Sequence, residues 1–165
     1  MKRVAAFAVL FALLVSPAST AGERGVSTPK PGNVIGTIVI PKLQVRARAR
    51  GRRRLRAEPR TQPRSVDRPP GAGGTVAIAG HRTTYGAWFR HIDKLAPGDV
   101  IELVMRPRYG GGTFRYRVAG HRIVPRDAGR TLVRHIGAER LILTACHPLG
   151  SDALRYVVYA YPVRR

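Results

Sequence analysis

Three residues of this chain are of the types, and in the settings, that covalent catalysis needs: Cys146, His81 and Arg155. Cys146 is the only cysteine, so no disulfide within the chain is possible. A lone cysteine most often serves as a small buried hydrophobe. This one, however, ends the apolar run Leu141-Ile142-Leu143-Thr144-Ala145 and is followed at once by His147-Pro148. A nucleophile at a strand terminus is held by the sheet and still open to solvent. His81 also sits just past an apolar run, Thr75-Val76-Ala77-Ile78-Ala79, after Gly80. A free thiol ionises at about pH 8.5, so only a few per cent is thiolate at neutrality; a nearby imidazole and a cation raise that fraction or pass protons in step. Arg155 opens the last apolar run. Its permanently charged guanidinium suits a developing oxyanion or the carbonyls of a substrate, although in so arginine-rich a chain its plain reading is a surface charge.

The elements that must position these residues read as short strands. Val34-Ile35-Gly36-Thr37-Ile38-Val39-Ile40 is β-branched and closed by Pro41, which predicts a strand. Residues 75–79 predict a small buried strand ending at Gly80-His81. Residues 88–95 predict a helical turn or two that buries Trp88, Ile92 and Leu95. Pro97-Gly98-Asp99 is a turn into a strand over residues 100–105. A glycine-rich hairpin connection at 106–112 leads to 113–119, where Phe114, Tyr116 and Val118 alternate with Arg115 and Arg117, giving one buried and one wet face. Residues 121–124 continue that strand or form its neighbour, and 140–144 and 155–161 complete the set. The expected class is all-β with short helices, as a barrel or sandwich.

Around that domain, composition divides the chain. Lys2 and Arg3 precede an apolar run from Val4 to Val15, followed by the small residues Ser16-Pro17-Ala18-Ser19-Thr20-Ala21. Residues 1–21 therefore read as a signal peptide or a retained N-terminal membrane anchor, and both place the rest outside the cytoplasm. Residues 22–32 read as an exposed linker, and 33–165 as one catalytic-size domain. Residues 45–70 break the pattern with ten arginines, four prolines and no aromatic residue. They are expected to carry no regular structure, as a solvated basic loop or as a patch for anionic polymers. The net charge of +21 favours anionic envelope polymers and lipid headgroups as accessible partners, with no sign of a specific nucleic-acid site. His81, His91, His121, His135 and His147 show no close metal-ligand spacing, and no cofactor is called for.

Ala79-Gly80-His81-Arg82-Thr83-Thr84-Tyr85-Gly86, then Leu143-Thr144-Ala145-Cys146-His147-Pro148, then an arginine nine positions past the cysteine resemble the sortases, most closely the class E type of high-GC Gram-positive bacteria. Ile40-Pro41-Lys42-Leu43 looks like that family's first-strand signature. The resemblance implies an eight-stranded β-barrel, here left incomplete where residues 45–70 fail to match. It implies a cysteine transpeptidase with Cys146, His81 and Arg155 as catalytic residues and with Tyr85, Thr144, Ala145 and His147 at the substrate. Its partners would be secreted proteins bearing a C-terminal sorting motif, and an amine of a cell-wall precursor or pilin. Tyr85 looks like the class E feature associated with Leu-Ala-x-Thr-Gly over Leu-Pro-x-Thr-Gly. Ile142 and Ala145 stand where the common family pattern has threonines. The content of 45–70 is also what a GC-rich gene yields when read out of frame, with the matching frame resuming near Pro70-Gly71; resequencing would settle that against an intact frame. A rival of another class is an exported basic module for anionic envelope polymers in which Cys146 is structural.

Overall fold

The computed structural model describes residues 27, 29–30, 32–51, 69–132, 134 and 136–164. Among them are seven strands: β1 (Val34–Ile40), β2 (Val45–Arg50), β3 (Thr75–Ala79), β4 (Val100–Met105), β5 (Thr113–Pro125), β6 (Arg140–His147) and β7 (Leu154–Pro162). They form one sheet in the order β2-β1-β4-β5-β7-β6-β3, curled into a half-barrel. The all-β class with short helical pieces holds, with seven strands described where the family resemblance implies eight. Residues 1–26 and 52–68 lie outside the described set, and with them the expected signal or anchor, most of the expected linker and most of the arginine-rich stretch.

Period-two burial builds the core. Ile38 and Ile40 of β1, Ile101, Leu103 and Met105 of β4, and Tyr116 and Val118 of β5 point inward. They meet Leu141, Leu143 and Ala145 of β6 and Tyr156, Val158 and Ala160 of β7. Ile142 and Val157, on the alternate positions of β6 and β7, are also fully buried. This part of the sheet is therefore covered on both faces, which explains why residues 141–145 read as an unbroken apolar run. The segment after β5, with its single helical turn α1 (Gly129–Leu132), lies on the second face, where Ala128, Thr131 and Leu132 line a cleft with Arg140 and Tyr159. Arg140 fastens it, donating to the carbonyls of Leu132 at 2.7 Å and Arg134 at 2.9 Å.

Three expectations are corrected. Residues 45–50 are not irregular: they form β2, antiparallel to β1 from Val34↔Arg50 to Ile40↔Val45. Ala47 and Ala49 are buried while Arg46, Arg48 and Arg50 face out, a half-buried alternation that the charge run conceals. Trp88 is not buried; it is half exposed, and Phe89 takes the interior place at 2% exposure. The helical turn shrinks to one 3-10 turn, Ile92–Lys94, with Ile92 and Leu95 in the core as expected. Residues 113–119 and 121–124 are one long strand, bent where the register shifts between Val118 and Gly120.

Candidate active site

The strand register brings the three candidate residues to one end of the sheet. β3 and β6 are parallel, with Ala79 opposite Thr144, and Gly80 N–H extends the ladder by donating to Thr144 O at 3.0 Å. Two residues further along each chain stand His81, just past the end of β3, and Cys146. β6 and β7 are antiparallel, and Cys146 is the direct partner of Arg155. Neighbouring strands are about 4.8 Å apart, so Cys146 on β6 and Arg155 on β7 lie side by side at one end of the sheet, with His81 just past the end of β3 on the other side of β6. Residues directly opposite share a face. The core takes the odd positions of β6 and the even positions of β7, so Cys146 and Arg155 turn together to the other face.

Each member is held differently. Cys146 is half-buried and unpaired by any disulfide. Arg155 Nη1 donates to Asp152 O at 2.8 Å and to its neighbour Leu154 O at 2.9 Å. Asp152 is itself paired through its carboxylate with Arg126 at 2.6 Å. One arm of the guanidinium is thus anchored to the β6–β7 loop, and Nε and Nη2 have no partner among the described residues. His81 is exposed; its carbonyl accepts from Phe89 N–H at 3.0 Å. Gly80 is required beneath it, because a Cβ there would fall 2.5 Å from the Phe89 ring. Among the described residues Cys146 and His81 share no hydrogen bond.

The expected substrate residues divide by face. Tyr85 is 84% exposed, with its ring centroid 5.1 Å from that of His81. It opens a run of left-handed backbone, Tyr85 at φ 49°, Gly86 at 85° and Ala87 at 45°. Such conformations at non-glycine residues cost about 1–2 kcal/mol each and concentrate at functional sites. Thr144 shares the face of Cys146, and its hydroxyl is buried without a partner among the described residues. Ala145 does not share it: at 3% exposure it packs in the core, so only its backbone can reach a substrate. His147 is half-buried at the end of β6, its ring tilted against Tyr156 at 5.9 Å.

Two groups escaped sequence reasoning. Arg82, next to His81, is a buried cation that reaches Asp93 at 2.7 Å and His147 Nδ1 at 3.4 Å. Only its adjacency to His81 separates it from the other arginines. Glu139, just before β6, accepts from Gly71 N–H, Gly73 N–H and Tyr116 O–H, tying the entry of β3 to that of β6. No group of three or more potential metal ligands occurs among the described residues.

The "Sortase domain" family model matches residues 38–163. Sortase D of Bacillus subtilis is 27% identical over 135 residues, covering 79% of this chain and 65% of the relative. Sortase SrtE1 of Streptomyces coelicolor is 28% identical over 157 residues, covering 84% of this chain and 43% of the relative. The chain thus spans less than two thirds of the length of either. Among solved structures, sortase C from Clostridium perfringens superposes with a TM-score of 0.65 at 19% identity, covering 83% of this chain and 73% of that one. Sortase E1 from Streptomyces coelicolor, solved with a tripeptide in its active site, gives 0.62 at 23% identity, covering 82% and 91%.

Proposed function

The chain belongs to the sortase family, and on that premise we propose that it is a cysteine transpeptidase using Cys146, His81 and Arg155. The observation that carries this reading is the meeting of the three residues at one end of the sheet, with Arg155 the direct cross-strand partner of Cys146 and His81 two residues past Ala79, whose partner Thr144 lies two residues before Cys146. The Cys146 thiolate attacks the Thr–Gly carbonyl carbon of a sorting motif near a client protein's C-terminus. The carbonyl π pair moves to oxygen, where the free arm of Arg155 meets the developing charge. Collapse of the tetrahedral adduct breaks the C–N bond, and His81 protonates the departing glycine amine. An incoming amine then attacks the thioester, gives its proton to His81 and releases Cys146. Because His81 is exposed, rotation of its side chain or one bridging water closes the proton path.

Tyr85 stands beside His81, where it can read the residue that is alanine in Leu-Ala-x-Thr-Gly and proline in Leu-Pro-x-Thr-Gly. Thr144 shares the Cys146 face, and its buried hydroxyl, without a partner among the described residues, can donate to substrate once it turns outward; the Ala145 backbone and His147 flank the nucleophile. Clients are secreted proteins bearing the motif, and acceptors are amines of a cell-wall precursor or a pilin. Residues 1–21 deliver the domain outside the cytoplasm, to the cell surface, as a cleaved signal or an anchor. The binding-module alternative gains no support from a fold whose sheet aligns Cys146 with Arg155.

The test is product analysis with Leu-Ala-x-Thr-Gly and Leu-Pro-x-Thr-Gly peptides and glycinamide as acceptor. The expected product is the peptide ending in Thr-glycinamide, preferentially from the alanine motif, and none from Cys146→Ala. Equal turnover by Cys146→Ala would end the proposal.

A further inference from the structure

The loop after β3 carries a cation that the acyl-transfer steps leave unused. Arg82 is 4% exposed, and a buried guanidinium persists only where its donors are matched. Nε and Nη2 donate to Arg90 O at 3.1 and 3.0 Å. Nη2 also donates to Asp93 Oδ1 at 2.7 Å, and Nη1 reaches His147 Nδ1 at 3.4 Å. The guanidinium carbon lies 6.0 Å from the centroid of the Tyr156 ring, against which His147 also rests. Arg82 is the residue after His81, and His147 is the residue after Cys146. A side-chain contact between the His81 loop and the Cys146 strand end thus runs between their immediate neighbours.

A guanidinium has donors only. A hydrogen bond at this contact requires His147 Nδ1 to accept, with the ring hydrogen on Nε2. We propose that Arg82 is a positioning residue for the transfer reaction: it ties the His81 loop to the Cys146 strand end through His147 Nδ1 and fixes His147 as the Nε2–H tautomer. Asp93 and the Arg90 carbonyl hold the fork in place, so the tie has a defined geometry. Lysine cannot reproduce it, because one ammonium cannot span Arg90 O, Asp93 and His147 together. A displacement of about 1 Å between reacting groups is enough to slow an oriented reaction by orders of magnitude.

This inference rests on the proposed roles of Cys146 and His81, and its test has a part that does not. Two-bond 1H–15N correlation on the 15N-histidine-labelled full chain, with His147 identified by its absence from His147→Gln, is expected to show an unprotonated Nδ1 and a protonated Nε2. In Arg82→Lys, His147 becomes a tautomer mixture, and kcat for peptide transfer falls about tenfold with KM within about twofold, the split expected of lost positioning. Asp93→Asn, at a half-exposed partner, shifts His147 in the same direction by less and serves if Arg82→Lys does not fold. A protonated Nδ1 in the unaltered protein, or a His147 untouched in the folded variants, overturns the tie. A displaced tautomer with unchanged kcat overturns the positioning role. An Nε2–H tautomer in a protein that transfers no peptide overturns the transpeptidase reading and the positioning role with it, while leaving the tautomer assignment standing.

Discussion

Replacing Tyr116 by phenylalanine removes one oxygen from the joint that sets the two catalytic strands side by side. Tyr116 has no exposure, and its hydroxyl donates to Glu139 Oε1 at 2.7 Å. The same carboxylate accepts Gly71 N–H and Gly73 N–H, each at 3.0 Å, so it joins β5 to the chain entering β3 and β6. A hydrogen bond to a charged group is worth about 1.5–3 kcal/mol net. Glu139 is only half-buried and keeps two backbone donors, so no stranded charge adds to the loss, and about 2 kcal/mol is expected. At about 2–4 °C per kcal/mol for a chain of this size, Tm falls by about 4–8 °C. The pH dependence has a definite sign. Burial, and then the Glu139 carboxylate, push the Tyr116 phenol above its ordinary value, so the folded state keeps a proton that the unfolded chain releases above about pH 10. The stability from this group is fully present below that pH and is lost as pH rises beyond it, with a slope of at most about 1.4 kcal/mol per pH unit. Urea unfolding at neutral and strongly alkaline pH measures both effects. Tyr116→Phe should lose stability at pH 7 and show a shallower alkaline decline. Tyr156, whose phenol is raised by burial and then by Asp93, contributes a slope of the same sign. A loss below about 0.5 kcal/mol at pH 7, with the alkaline decline unchanged, would refute the reasoning.

Gly80→Ala should drive a methyl group to within 2.5 Å of the Phe89 ring, costing about 1–3 kcal/mol by overpacking. Because the displaced loop carries His81, peptide transfer should fall further than thermal stability does; parallel melting and rate measurements check this. Arg155→Lys removes the fork that is anchored on Asp152 O and Leu154 O. Loss of one oxyanion donor typically lowers kcat by about 10²–10³-fold, and steady-state kinetics on the Thr–Gly peptide with an unchanged kcat would remove Arg155 from the mechanism.

The sequence makes most of the sheet legible because alternating or continuous apolar runs declare their buried faces. Thr113 to Ala119 and Leu141 to Ala145 are the plainest instances. β2 was hidden because its inward residues include Ala47 and Ala49, whose small side chains signal little hydrophobic drive, while Arg46, Arg48 and Arg50 signal solvent. Pairing with β1 supplies what the pattern lacks. Trp88 and Phe89 were exchanged because helical spacing favours positions 88, 92 and 95, whereas the bare backbone of Gly80 leaves a space that Phe89 fills. At the site, Cys146 and His81 stand out by their places after apolar runs, and the register shows why an arginine nine positions beyond the cysteine can be its neighbour: β6 turns back into β7 with Cys146 opposite Arg155. Arg82 was not legible, because what distinguishes it is burial among Arg90, Asp93 and His147, contacts that exist only in the folded chain.

The central claim is that Cys146 carries the acyl group, and intact-mass analysis of the protein incubated with a Leu-Ala-x-Thr-Gly peptide and no acceptor tests it most directly. The expected result is an adduct equal to the peptide truncated after threonine, located on Cys146, absent from Cys146→Ala and discharged by added glycinamide. A folded protein that cleaves the peptide without that adduct, or that acquires it at another residue, does not use Cys146 as its nucleophile.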